Sequence, residues 1–151
     1  AKNIIIEFVD YNCGYCKAIH KEIIDLANNT ELDLVVYFFQ FPILSDSSRL
    51  YSKILLSVAE QNTDEAILLH DKLMNVKGNL NENKLNYILS SININQEKFE
   101  KDIVSLDIEE KIEVSYYVAR RIGGTGTPLL IINNFVEQGF RTKEEIINIL
   151  D

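Results

Sequence analysis

Two apolar runs separated by one helical pattern constrain this chain more than any other feature. "NIIIEFVDY" (residues 3–11) is rich in β-branched and aromatic residues. Ile4, Ile6 and Phe8 would point to one face, and Ile5, Glu7 and Val9 to the other. Apolar side chains on both faces predict a central strand buried on both sides. "CGYCKAIHKEIIDLANN" (13–29) then places Cys16, Ile19, Ile23, Leu26 and Ala27 at helical spacing, with Asn12 as the expected N-cap and Asn28-Asn29 as the stop. "LDLVVYFFQFPIL" (32–44) reads as a second buried strand that ends at Pro42. Strand, helix, strand in so short a span is a βαβ unit, with parallel strands and a right-handed crossover.

Residues 47–122 show no strand pattern. Asp46 or Ser47 can cap a helix carrying Leu50, Ile54, Leu55 and Val58. Asn62-x-x-Glu65 opens another with a capping arrangement. Leu85, Ile88, Leu89 and Ile92 form a further stripe, and Phe99 and Ile103 a short one. Ile108, Ile112, Ser115, Val118, Ala119 and Ile122 form a long one, ended by Gly123-Gly124. The β pattern then returns: "TPLLII" and "FVEQGF" flank Asn133-Asn134, a two-residue hairpin turn. Thr142-x-x-Glu145 caps a last helix with Ile146, Ile147, Ile149 and Leu150. The order β-α-β, helical block, β-β-α predicts an α/β protein (α+β in its mixed sheet) with an antiparallel hairpin edge.

The chain has 15 basic and 23 acidic residues and a net charge of −8, which argues against a nucleic-acid backbone or an anionic membrane as main partner. No apolar run approaches the ~20 residues of a membrane helix. No secretory signal precedes the first strand, so the chain is expected to be a processed or trimmed form whose N-terminus does not report its compartment.

Both cysteines lie in one motif, Cys13-Gly14-Tyr15-Cys16. A bridge between them closes too small a loop to stabilise the fold through chain entropy, which leaves redox chemistry or metal binding. Cys13 falls at the start of a helix, where free backbone N–H groups and the helix dipole favour an anion. Its thiol pKa should therefore be depressed. Cys16, one turn further in, should be the less exposed resolving thiol. Glu7, the one charge in "IIIEFV", should point inward beneath the pair, with a raised pKa, and take the Cys16 proton as that thiol becomes a nucleophile. Zinc is the rival reading, with His20 and His70 completing Cys13 and Cys16. However, the histidines lack metal-type spacing and there is no second knuckle. His20 is expected to be partly exposed near the site, and His70 to lie on a helix surface. Covalent haem attachment fails because Lys17 follows Cys16. A non-catalytic peptide-binding or chaperone module is a third reading, disfavoured by the presence of both cysteines.

The stretch from Glu7 to Lys17 resembles the active-site segment of the thioredoxin superfamily, and is most similar to the DsbA-like branch and its ScsC-like proteins. "FPILSDSS" (41–48) and "ARRIGGTGTP" (119–128) are similar to the same branch. The resemblance implies a thioredoxin fold with a helical block inserted between its βαβ half (1–46, with the active site) and its ββα half (123–151). The block, with one core helix, would span 47–122, and the whole would form one compact domain. It also implies that Thr127-Pro128 is a cis-proline loop facing Cys13, whose backbone pairs with substrate as an added strand. Gly14 and Tyr15 would tune the cysteine pair. Tyr15 cannot supply the positive charge of the histidine found between the cysteines of strongly oxidising relatives. Tyr15 together with Thr127 resembles the superfamily's disulfide isomerases.

The expected activity is therefore protein thiol–disulfide exchange through Cys13 and Cys16, leaning to isomerisation, with DsbA-like dithiol oxidation as the alternative. No cofactor or metal is expected. Substrates would be unfolded or misfolded exported proteins, and a membrane thiol–disulfide partner would reset the pair. The compartment implied is the bacterial periplasm or another exported location. This trimmed chain would be monomeric, and the native form oligomeric through a missing N-terminal segment.

Overall fold

The structure, a computed structural model, describes all residues 1–151. Four strands form one sheet: β1 (Asn3–Val9), β2 (Leu34–Gln40), β3 (Leu129–Ile132) and β4 (Phe135–Gln138), in the order β2-β1-β3-β4. β1 and β2 run parallel, joined by α1 (Gly14–Ala27), while β3 is antiparallel to both β1 and β4. The mixed sheet, the βαβ crossover and the hairpin edge follow the sequence pattern. At the hairpin turn Asn133 takes φ +52°, the left-handed conformation that Asn tolerates.

The strand alternation of β1 sorts its side chains between two cores. Ile5 packs with Ile19, Ile23 and Leu26 of α1, with Leu130 and Ile132, and with Ile146 of α7 (Lys143–Ile147). Phe8 points the other way, into a cluster with Phe41, Leu129 and Ala119 of α6 (Leu106–Arg121). The largest cluster joins Val9, Tyr11, Cys13 and Cys16 to the helical block. That block comprises α2 (Asp46–Gln61), α3 (Thr63–Met74), α4 (Glu82–Leu89) and α5 (Gln96–Asp102). The block therefore closes over the end of the sheet where β1 hands the chain to α1.

The helix ends are set by side chains. Asn62 accepts from the Glu65 amide at 3.0 Å, whereas the Glu65 carboxylate binds the Asn93 amide instead of turning back on its own cap. Thr142 and Glu145 form a reciprocal capping box. α6 ends where Gly123 takes φ +84°. The next residue must also be glycine, because a Cβ on Gly124 would lie 2.8 Å from the Ala119 carbonyl oxygen and 2.4 Å from Leu129 Cδ2.

Several expectations need correction. β2 is not a fully buried strand: it forms one edge of the sheet, and Tyr37 is half exposed. Its apolar residues face helices above and below, but no strand covers its outer side. The N-cap of α1 is Cys13, not Asn12, and that of α2 is Ser45, not Asp46 or Ser47. Leu50 and Ala27 lie exposed, and Tyr51 takes the buried place in the α2 stripe. Val118 and Ile122 are only half-buried at the end of α6.

Candidate active site

β1 and the tight turn after it create the site. The Cys13 amide donates to the Asp10 carbonyl at 3.0 Å, which turns the chain from strand into helix. Cys13 then sits at the α1 N-cap, and the Cys16 amide donates to its Sγ at 3.2 Å. Sulfur thus takes the place of the oxygen that usually satisfies a helix's first free N–H groups. The Cys13 thiol is 3.4 Å from the Thr127 carbonyl oxygen. The bond from Thr127 to Pro128 is cis. Pro128 is buried, and its carbonyl accepts from the Gly139 amide.

The two thiols have opposite environments. The Cys13 pKa is lowered to about 6, first by the hydrogen bond from the Cys16 thiol. Burial opposes this, while Thr127 and the backbone N–H groups of Cys16 and Tyr15 add to it. Cys16 is fully buried and its pKa is raised, first by that burial, then by its hydrogen bond to Cys13 and the charge of Glu7. Both cysteines are free thiols. Glu7 is 1% exposed, and neither carboxyl oxygen has a hydrogen-bond partner. Burial first, and then the charge of Cys13, raises its pKa to about 8. An exposed-edge position for Glu7 is excluded, since β1 lies between β2 and β3. Tyr15 is 69% exposed beside the pair, and Gly14 has open space where a side chain would be.

The four candidate zinc ligands do not converge. No group of three or more His, Cys, Asp or Glu side chains is placed to hold a metal ion. Both histidines are buried, against expectation. His20 Nε2 lies 2.8 Å from Asp71 Oδ1, and His70 Nδ1 lies 2.7 Å from the Tyr11 hydroxyl. α3 packs against α1 and brings the His70 ring against His20, Tyr11 and Phe38, a tertiary contact with no local signal in either helix.

Asp10 was missed by the sequence reasoning. Its buried carboxylate accepts from the Asn12 amide (2.8 Å), the Ser48 hydroxyl (2.7 Å) and the Ile43 and Leu44 amides (2.9 Å each). Asn12 in turn donates its side-chain amide to the hydroxyls of Ser45, Ser47 and Ser48. The signal was present: an Asp two residues before a turn amide is an Asx-turn pattern. Replacing Asp10 with Ala leaves these donors without their acceptor. We expect a loss of about 3 kcal/mol or more, read as a lowered urea midpoint with unchanged slope.

Together these groups make an ionisable thiol on a residue only 6% exposed, a fully buried second thiol and a buried acid that is mostly neutral at pH 7. That set can open a disulfide, resolve the mixed disulfide and, where Glu7 is ionised, hold the proton released.

A family model described as thioredoxin matches residues 1–151. The chain is 24% identical to a probable disulfide bond formation protein D of Bacillus cereus, over 95% of this chain and 72% of that protein. Among solved structures, it superposes on the thiol-disulfide exchange protein alpha-DsbA2 of Wolbachia pipientis with TM-score 0.88 and 28% identity, covering 98% of this chain and 80% of that one. It superposes on the catalytic domain of Proteus mirabilis ScsC with TM-score 0.85 and 24% identity, covering 99% of this chain and 81% of that one.

Proposed function

The chain belongs to the thioredoxin family, among its DsbA-like thiol–disulfide oxidoreductases, and on that premise we propose that it rearranges disulfides in exported proteins through Cys13 and Cys16. The observation that carries this reading is the asymmetry of the two thiols. Cys13 is lowered to about 6 at a helix N-cap, and Cys16 is raised beside the buried Glu7. At neutral pH only Cys13 is a thiolate. It attacks a client disulfide, a Cys13–client bond forms and one client sulfur leaves as thiolate. A second client thiol then displaces Cys13 in isomerisation. Alternatively Cys16 displaces the client, its proton passing to Glu7 in the ionised form, a minority at neutral pH because the carboxyl pKa is raised to about 8.

Gly14 and Tyr15 set the potential of the pair, and Thr127 and Pro128 hold the client backbone opposite Cys13. Tyr15 favours isomerisation over net oxidation, because a neutral exposed ring adds no charge to stabilise the Cys13 thiolate. Each ~30 mV by which it makes the pair less oxidising corresponds to ~1.4 kcal/mol. The clients are unfolded or misfolded proteins in the periplasm or a comparable exported compartment, and a membrane thiol–disulfide partner resets the pair.

The test compares two substrates in a glutathione buffer: a fully reduced protein and the same protein with scrambled disulfides. We expect faster recovery from the scrambled form, and a shift toward net oxidation in Tyr15→His with a further lowered Cys13 pKa. Recovery from the reduced form alone would make the protein a dithiol oxidase. Recovery from neither would defeat the exchange reading.

A further inference from the structure

A groove of about 880 Å³ lies between the end of α3 and α4, and the exchange chemistry leaves it unused. Val76, Tyr87 and Ile88 are its apolar lining. Tyr87 is 81% exposed, more than any other large apolar side chain of the molecule. Lys72, Lys77 and Lys84 also line the groove, against the one acidic side chain of Asp71. Asp71 is already engaged by His20 and by the Asn75 side-chain amide. No carboxylate pairs with any of the three lysines, since the ion pairs of the chain use other cations. The groove between β2 and α6 has the opposite balance, with Glu60, Asp107 and Glu110 against Lys111, as expected of a chain with net charge −8.

Residues 76–79 join the cationic groove to the active-site helix. Lys17 Nζ, on the α1 turn that starts at Cys16, donates to the Val76 carbonyl at 3.2 Å and the Gly78 carbonyl at 3.0 Å. Lys84 Nζ donates to the Lys77 carbonyl at 3.0 Å and the Asn79 carbonyl at 3.1 Å. The Lys17 amide donates to the Cys13 carbonyl at 3.2 Å, and Val76 packs against the core cluster that holds both cysteines. Two ammonium groups thus grip one loop, from α1 and from α4, and their charges reinforce each other. Burial first, and then the charge of Lys84, lowers the Lys17 pKa accordingly.

We propose that this groove holds an acidic, aromatic-bearing segment of the client next to the cysteine under attack. The assignment deepens the exchange reading above and rests on it. Charge complementarity selects the occupant. The ammonium groups of Lys72 and Lys77 have no partner within the chain and are free to meet client carboxylates, while Lys84 stays tied to its carbonyls. An aromatic ring of the segment covers Tyr87, Val76 and Ile88. The net charge of −8 does not oppose this, because charges beyond ~8 Å are largely screened at physiological salt and the nearby lysines decide. A client held at Cys13 makes this second contact intramolecular, so weak surface pairs suffice.

The test uses short fluorescent peptides without cysteine, each carrying one Tyr flanked by Glu, by Gln or by Lys, with binding read as anisotropy. The Glu peptide should bind at least about tenfold tighter than the Gln peptide at low salt, and high salt should erase the difference. The double variant Lys72→Glu/Lys77→Glu should lose that preference. Tyr87→Ser should weaken the Glu and Gln peptides alike and keep the salt dependence. The same peptides are then given a cysteine in a mixed disulfide, and the second-order rate of opening by Cys13 should follow the same order. Equal binding of Glu and Gln peptides, or a preference that the double variant retains, overturns the groove and leaves the exchange reading standing. A single-stranded oligonucleotide that binds as tightly as the Glu peptide makes the groove a general polyanion surface and overturns its assignment to a client segment. Peptides that bind in the expected order but are never opened by Cys13 overturn the exchange reading, and the client role of the groove with it.

Discussion

Cys13→Ser is expected to lower disulfide exchange by at least about a thousandfold, because a serine hydroxyl has no accessible anion near neutral pH and the reaction needs one. The fold should survive, since a serine oxygen can accept from the Cys16 amide as the Cys13 sulfur does. Cys16→Ser should behave differently. It leaves Cys13 able to attack, and the protein should accumulate as a mixed disulfide with its client. The wild-type attack rate should rise with pH through an inflection near the Cys13 pKa of about 6 and level off above it. Rates with a small aromatic disulfide across pH 5 to 9 check both points. An inflection at the free-cysteine value of ~8.5 would remove the activated-thiolate account.

Glu7→Leu should stabilise the fold, and by an amount that depends on pH. In the folded chain Glu7 keeps its proton up to about pH 8, against an ordinary value of 4.5. Below pH 4.5 both folded and unfolded states hold the proton, so the carboxyl costs nothing through ionisation. As pH rises from 4.5 to 8 the unfolded chain releases it and the folded one does not, so stability falls across that window. Above 8 the loss is complete, on the order of 5 kcal/mol at ~1.4 kcal/mol per pKa unit. Cys13 works in the opposite sense: its lowered pKa adds stability as pH rises from about 6 toward its ordinary value of 9.0. The Glu7 drop is offset in the wild-type curve by His70 below pH 6.5, because burial lowers its pKa from 6.5 to about 3, and by Cys13 above about 6, so it is read as the difference between wild type and variant from pH 4.5 to 8. In Glu7→Leu that drop should vanish in urea melts, while release of mixed disulfides slows because the Cys16 proton has lost its acceptor. Equal pH dependence in the two proteins would mean Glu7 does not ionise as its burial requires. A site that lowers stability to hold a proton is a familiar compromise between folding and activity.

The parts legible in the sequence were those with local causes. β1 was legible in a β-branched and aromatic run apolar on both faces, the hairpin in Asn133-Asn134, and α7 in its capping box, and each depends on residues within a few positions of one another. The sites of error were decided by distant packing. The apolar character of β2 showed that helices cover its faces but could not show that no strand covers its outer side. His20 and His70 looked like surface residues because what buries them is the docking of α3 on α1. The cap of α1 went to Cys13 because the Asn12 amide is held by three serines of the α2 entrance. The same serines, with Asp10, form a contact that only the folded chain brings together.

That contact bears on how far the catalytic unit can be reduced. A redox motif on a strand-to-helix corner looks portable, as though the βαβ and ββα halves alone would carry it. Here the corner is fastened by Asp10 to the amides of Ile43 and Leu44 and to Ser48, and its two cysteines share a core with Tyr51, Leu69 and Phe99. Excising the helical block would strip the corner of its tie to Ser48 and expose the sulfur that must stay hidden. The inserted helices are thus part of the smallest piece of this chain that can keep one thiol ionised and the other protonated.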